Sequence, residues 1–327
     1  MSTPLNIDVS IVIVNYKSWH HLKNCLQALI SINSTHFTFE VIVVDNCSHD
    51  GQLTTFVKDF PEIEFVENTG NNGFSNGCNY GANKAKGSYL FFLNPDTIAN
   101  EDAIHKLLAF TKRYRNVGIV SCHQKNNDGS YEKTIRLFPN IFTLFGLTRA
   151  IYRSFNKKSL QNKYSSKESV IFPDWVSGSV VFMSKEWYQE INGWNEDFWM
   201  YFEDVDICKR VKTANGKVAL LQDAEIIHNH GGASRINIKT ASITKTEVLI
   251  SKHVYVSNHL KGFQGLVSQI LIIVSNIIFK TLLAILGCIF FFIPKLRLNL
   301  SIYLKLMRYY ANAIIYRKWL SKKSLNY

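Results

Sequence analysis

The chain has 327 residues, more than one hydrophobic core of roughly 250–300 residues organises, so two unequal parts are expected. Its net charge of +12 is concentrated: the last acidic residue is Glu247, and the eleven basic residues beyond it leave residues 1–247 almost neutral. The six cysteines form no Cys-x-x-Cys pair, which excludes a disulfide framework and a zinc ribbon, and the opening residues lack the pattern of a cleaved export signal.

Residues 9–14 are a β-branched run, followed by a helical apolar pattern at Leu22, Cys25, Leu26, Leu29 and Ile30, then a second run at 40–44 ending in Asp45. A third strand is predicted at 63–66, a helix at 75–86 and a fourth strand at 89–93 running into Asn94-Pro95-Asp96. Continuous apolar strands alternating with amphipathic helices predict an α/β fold with a mostly parallel sheet buried on both faces. Ligands of such sheets bind beyond the carboxyl ends of the strands, which is where Asn15, Tyr16, Asp45, Asn46, Asn94 and Asp96 fall.

Further on, a helix is expected at 102–113, a strand at 118–122 and a turn at 127–129. Residues 140–170 interleave Arg149, Arg153, Lys157, Lys158, Lys163 and Lys167 with aromatic residues, and read equally as a basic loop or an interfacial patch. A strand broken by Gly178 is predicted over 176–183, a helix over 203–213 and two short strands within 217–228. Residues 266–293 are apolar apart from Lys280 and stop at Pro294, which suits one tilted span, a re-entrant hairpin or two interfacial helices. Basic flanks without acids point to an anionic membrane surface; nucleic acid is disfavoured, since these charges flank apolar helices. The division drawn is a catalytic domain over 1–240 and a helical, basic, membrane-associating region over 241–327.

Three groups of residues bear chemistry. In Leu93-Asn94-Pro95-Asp96-Thr97 a strand delivers a carboxylate to a turn, where Asp96 suits magnesium or manganese shared with substrate phosphates, or else caps the next helix. Glu203, Asp204 and Asp206 open a helix after the aromatic run 198–202; the helix dipole favours acids there, while an apolar wall raises a carboxyl pKa towards that of a base. His228 and His230 follow a predicted strand and precede Gly231-Gly232, so either imidazole suits a metal or a diphosphate. A fourth stretch, Asn68 to Gly81, is rich in Gly and Asn but matches no standard phosphate-binding pattern, and turn chemistry or close helix packing explains it as well.

In this order, the blocks 10–16, 43–46, 72–79, 93–97, 174–178, 200–206 and 228–234 resemble family-2 glycosyltransferases of the GT-A fold, especially their rhamnosyltransferase-like branch. The resemblance spans roughly residues 8 to 235. It implies an inverting, metal-dependent hexosyltransferase at the cytoplasmic face of the cell membrane. The donor would be a dTDP- or UDP-sugar, with dTDP-rhamnose first, and the acceptor a hydroxyl of a membrane-bound or polyprenyl-linked glycan. Asn15, Tyr16, Asp45, Asn72, Gly73, Asn79, Asn94 and Asp96 would line the nucleotide-sugar pocket. Asp204 would be the base with Glu203 beside it, and Trp175, Gly178 and Trp199 would shape the sugar and acceptor side. Asp96 with His228 or His230 would hold Mg2+ or Mn2+. Asn94 stands at the first position of the family's Asp-x-Asp motif, so this chain offers one carboxylate there. A polyprenyl-phosphate sugar transferase of the same fold, or an inactive nucleotide-binding membrane adaptor, are the rival readings.

Overall fold

The computed structural model describes residues 7–126, 128–131, 137–164, 169–229 and 238–327. The elements run β1 (Val9–Asn15), α1 (Trp19–Ile30), β2 (Phe39–Asp45), α2 (Gln52–Asp59), β3 (Glu64–Glu67), α3 (Phe74–Ala82), β4 (Tyr89–Leu93), β5 (Thr97–Ile98), α4 (Glu101–Arg113) and β6 (Val117–Lys125). There follow α5 (Gly146–Phe155), α6 (Lys157–Tyr164), β7 (Val170–Ile171), β8 (Val180–Ser184), α7 (Lys185–Glu190), α8 (Glu203–Thr213), β9 (Lys217–His228), α9 (Ile238–His259), α10 (Gly262–Ile289) and α11 (Pro294–Tyr316). Two compact units emerge: one holds the segments up to 138, 150–195 and 203–232; the other holds 139–149, 196–202 and 233–327.

In the first unit all the strands join one sheet of order β3-β2-β1-β4-β8-β6-β9-β5, with β7 pairing β9. Every residue of β1 is buried, as its unbroken apolar run requires of a central strand covered on both faces. β1, β2, β3 and β4 are parallel, and so are β6 and β9, whereas β8 enters antiparallel between β4 and β6. This is an α/β, mostly parallel sheet of the GT-A type.

Glycines explain how α3 lies so close to this sheet. A Cβ on Gly77 would stand 2.7 Å from Val14 Cγ1, and one on Gly81 would stand 2.5 Å from Val12 Cγ1. The Gly-rich stretch is therefore, at these two positions, a helix pressed onto β1 and β2, and the turn before it uses a left-handed Gly73 (φ 99°).

Two expectations are corrected and one that was open is narrowed. The 217–228 segment is one strand, not two; it stays continuous because irregular pairing between Cys122 and His123 absorbs residues 222–224. The strand expected over 176–183 begins only at Val180, since Ser177 to Ser179 turn to meet other groups. Residues 262–289 form one helix straight through Lys280.

In the second unit α10, at about 1.5 Å rise per residue, is roughly 42 Å long. Apart from Ile272 its buried face is polar or small, with Gly265, Ser268, Gln269, Asn276, Ala284 and Gly287, while Phe263, Leu266, Ile278, Phe279, Leu282 and Ile289 are exposed. A water-facing helix has the opposite pattern. The larger polar groups of the buried face bond to the neighbouring helices: His253 on α9 bonds Gln269 on α10 and Tyr310 on α11, and Asn276 donates to Tyr310 Oη at 2.9 Å. The His253 ring also stacks on Trp319 at 4.9 Å, and burial pushes its pKa down to about 4, so it is neutral. Among the described residues α10 is the one helix long and apolar enough to cross a membrane.

Candidate active site

The carboxyl ends of β1, β2 and β4 converge, and a polar rim forms there. Asp45, at the end of β2, is buried; its Oδ1 accepts from the Ser48 hydroxyl (2.6 Å) and Asn15 Nδ2 (3.3 Å), and its Oδ2 accepts from Ser48 N–H (2.9 Å). Asn15 in turn accepts from Ser18 N–H (3.2 Å), and the Ser48 hydroxyl accepts from Lys17 N–H (3.0 Å). Asp45 thus sets the shape of the turn that presents Tyr16, whose ring is 45% exposed. Asn46 donates to Gly73 O (3.0 Å) and accepts from Asn68 (2.8 Å), which ties the next two loops to the same rim, with Asn72 in the turn between them. Asn79 lies apart from this set of bonds. Its amide accepts from Tyr188 Oη (2.6 Å) and Trp194 N–H (2.9 Å) and donates to Trp194 O (2.9 Å), anchoring α3 to the turn after α7.

Asp96 follows β4 in a tight turn in which Thr97 N–H and its hydroxyl both donate to Asn94 O. The helix-cap alternative is not what is seen: Asn100 caps α4, accepting from Ala103 N–H at 2.8 Å. Thr97 pairs with His228 across β5 and β9, which brings the buried His228 Nε2 to 3.2 Å from the buried Asp96 Oδ1. The contact is within ion-pair distance but is not aligned as a hydrogen bond, and among the described residues Oδ1 has no hydrogen-bond partner. On its far side His228 Nδ1 meets Gln124 Oε1 at 2.8 Å, and the same oxygen lies 2.6 Å from the Ser179 hydroxyl. If Nδ1 donates to Gln124, Nε2 presents a lone pair towards the Asp96 carboxylate oxygen. Two lone pairs at that distance repel unless a proton or a metal ion lies between them.

The residues therefore fit a divalent cation. Two cis ligands on an octahedral ion, with bonds of about 2.1 Å, stand roughly 3.0 Å apart, close to the observed separation. Among the described residues no three His, Cys, Asp or Glu side chains converge, so these residues offer a pair, and phosphate or water oxygens would suit further positions. His230 lies outside the described residues.

Asp204 opens α8. Its Oδ2 accepts from Gly178 N–H at 3.2 Å, and a Cβ on Gly178 would sit 3.2 Å from Asp204 Cβ, so a glycine is what lets the carboxylate approach this backbone. The neighbouring Ser179 supplies its hydroxyl to Gln124 and its carbonyl to Asn94 N–H (3.0 Å). One short segment, 177–179, is bonded on one side to Asp204 and on the other to the group that carries Asp96 and His228. Carboxylates 108 positions apart in sequence are thus held on a single stretch of backbone.

The remaining acids separate by environment. Glu203 is buried, one of its oxygens has no partner among the described residues, and burial together with the Asp204 charge raises its pKa well above the ordinary carboxyl value, favouring its protonated form. Asp206 is fully buried in an ion pair with Arg210 Nε (2.7 Å); Arg210 also donates to the carbonyls of Ile191 and Gly193, so this pair pins α8 to the 191–193 turn. Trp175 donates its indole N–H to Leu137 O (3.0 Å), beside the Asp174 carboxylate that accepts from Phe138 N–H (3.0 Å). Trp199 belongs to the second unit, where the Lys323 ammonium lies 4.1 Å from its ring centre. The aromatic run 198–202 as a whole belongs there, within the segment 196–202.

The model of the family "Glycosyl transferase family 2" matches residues 10–175, half of the chain and all of the β1 to Trp175 framework just described. The chain belongs to glycosyltransferase family 2. A second model, "N-terminal domain of galactosyltransferase", matches residues 162–230, which include Asp204 and His228. Among curated relatives the chain is 27% identical over 237 residues to the low-salt glycan biosynthesis hexosyltransferase Agl10 of Haloferax volcanii, covering 68% of this chain and 67% of that one. It is 23% identical over 236 residues to an N-acetylglucosaminyl-diphospho-decaprenol L-rhamnosyltransferase of Mycobacterium tuberculosis, covering 67% and 75%. In fold it resembles GalNAc-T7, solved with UDP, GalNAc and Mn2+, at a TM-score of 0.56 and 14% identity; the match covers 78% of this chain and 51% of that structure, about half its length.

Two residues of this candidate site in a family-2 glycosyltransferase escape sequence reasoning. Gln124 and Ser179 join the two carboxylate-bearing segments. Gln124 had a signal, being a polar residue just past an apolar strand; Ser179 had none, because it lay inside a run read as a strand.

Proposed function

We propose that this family-2 enzyme is an inverting, metal-dependent transferase that moves a sugar from a nucleoside diphosphate to a hydroxyl of a membrane-bound or lipid-linked glycan. The observation that carries this reading is the 177–179 segment holding Asp204 on one side and the Gln124–His228–Asp96 group on the other. Mg2+ or Mn2+, held by Asp96 and His228, would neutralise charge on the leaving diphosphate. Asp204 would accept the proton of the acceptor hydroxyl while its oxygen bonds to the anomeric carbon and the bond from that carbon to the diphosphate oxygen breaks. Gly178 N–H orients the carboxylate for this task, and Glu203, keeping its own proton, does not compete for the acceptor's. The exposed Tyr16 ring, on the turn set by Asp45, offers a face for the base.

dTDP-rhamnose is the first donor to test, since one relative is named as an L-rhamnosyltransferase acting on a diphospho-decaprenol glycan. The exposed apolar face of α10, with eleven cations and no acid after Glu247, supports work at an anionic membrane surface on the cytoplasmic side.

The test is a thermal-shift panel of nucleotide sugars with and without Mn2+, followed by transfer to a lipid-linked glycan with the product's anomeric configuration read by NMR. A true donor stabilises the chain in a metal-dependent way, and Asp204→Asn abolishes transfer while leaving that stabilisation intact. Transfer by Asp204→Asn at the wild-type rate, or stabilisation by no nucleotide at all, would overturn the proposal.

A further inference from the structure

α5 lies in the insertion between β6 and β7, a stretch that none of the proposed chemistry uses. None of its residues is buried. Leu147, Ile151 and Phe155, spaced four apart, form one stripe along the helix and are 75%, 49% and 87% exposed; Phe142, just before it, is 60% exposed. Thr148, Tyr152 and Asn156, also four apart, form the half-buried side that faces the protein, so the apolar stripe is not the packing face. Arg149 and Arg153 point away from the stripe, and Lys157 and Lys158 follow at once. From Lys133 to Lys167 the sequence holds eight basic residues and no acidic one.

A helix of this kind is misplaced in water. Three large apolar side chains held on one line expose hydrocarbon without a partner, whereas the charged face is of one sign only. The occupant must therefore offer hydrocarbon beneath and negative charge beside it, in a plane along which a short helix can lie. An anionic lipid surface does both: the apolar stripe sinks to the acyl boundary while the arginines and lysines stay among the phosphates. The C-terminal region repeats the same composition, eleven cations without an acid around an outward-facing apolar helix, although it is built from a different part of the chain.

We infer that α5 is a second membrane-contacting element, lying in the interface of an anionic bilayer with Leu147, Ile151 and Phe155 inserted. It rests on the membrane side of the proposed function and not on its chemistry.

The test uses the full chain with Cys47 and Cys288, its two cysteines that are not buried, replaced by serine, and an environment-sensitive fluorophore on Ile151→Cys. Control labels sit on exposed Ser130→Cys and, in a chain keeping it, on Cys288 at the end of α10. With vesicles of phosphatidylcholine and phosphatidylglycerol, the 151 label shifts to the blue and is quenched by brominated acyl chains, while the 130 label is not. Replacing Arg149 and Arg153 by Gln lowers partitioning onto these vesicles by roughly 25-fold, about fivefold per cation at about 1 kcal/mol each. Donor-induced thermal stabilisation stays unchanged in that variant. A 151 label that stays in water while the Cys288 label reports insertion would overturn this inference and leave the α10 anchor standing. No binding to any vesicle would overturn both, and leave the transfer chemistry untouched. Equal insertion into pure phosphatidylcholine would refute the electrostatic part, and shielding of the stripe only by an acidic protein would give the face to a different partner.

Discussion

Glu203→Gln separates the two acids at the start of α8. Glu203 is buried with one oxygen unpartnered, and burial, followed by the neighbouring Asp204 charge, raises its pKa. For an acid whose folded-state pKa is raised, the contribution to stability is fully present below its unfolded value of 4.5 and is lost as pH rises towards the folded value. Over that window the unfolded chain releases a proton that the folded chain keeps, so stability falls by about 1.4 kcal/mol per pH unit from this group. Glutamine is neutral in both states and removes the slope. Urea unfolding across this window should therefore give Glu203→Gln a stability profile flatter than wild type by that amount, with equal or greater stability at neutral pH. Initial transfer rates should stay within about threefold, since an amide mimics the protonated form that burial favours, whereas Asp204→Asn should lose about 10²- to 10⁴-fold, the scale of general-base catalysis. If Glu203→Gln loses as much activity as Asp204→Asn, or keeps the wild-type slope, Glu203 is ionised and the division of roles is wrong.

Three other outcomes follow from the same coordinates. Gln124→Leu, which removes the outer partner of His228, should raise the Mn2+ concentration for half-maximal activity by about 10- to 100-fold with little change at saturating metal. Glu247→Gln should cancel a loss of about 3 kcal/mol that the wild-type chain suffers between pH 4.5 and neutrality, because burial lifts this carboxyl from 4.5 to about 7; thermal denaturation against pH reads it. Gly81→Ala should destabilise the fold by about 1–3 kcal/mol by driving a methyl into Val12 and Val44, and Val12→Ala in the same chain should recover part of that, as chemical denaturation would show.

The parallel half of the sheet was legible because its strands are continuous apolar runs punctuated by polar residues: β4 falls where expected, β1, β2 and β3 within a residue or so, and α8 over the residues predicted. The two-residue strands β5 and β7 carry too little periodicity to read, and β8 was read too early because Val176 continues its apolar pattern across the turn at 177–179. At the site, strand ends pointed to Asp45 and Asp96, and the acids opening a helix to Asp204, but not to how they divide the work. Asp45 spends its oxygens on Ser48 and Asn15, and the carboxyl whose pKa rises is Glu203, because the deeper side chain of the pair is the one deprived of water. Such differences arise from side-chain depth and long-range pairing, which spacing along a chain does not encode.

The central claim, one crevice with Asp96 and Asp204 on either side of a donor's reacting end, is tested most directly by crystals grown with the nucleoside diphosphate and Mn2+, with diffraction collected at the manganese edge. The account predicts an anomalous peak within bonding distance of the Asp96 carboxylate and the His228 imidazole, with the terminal phosphate between that peak and Asp204. A manganese peak away from both side chains, or a nucleotide seated where Asp204 does not reach it, would contradict it.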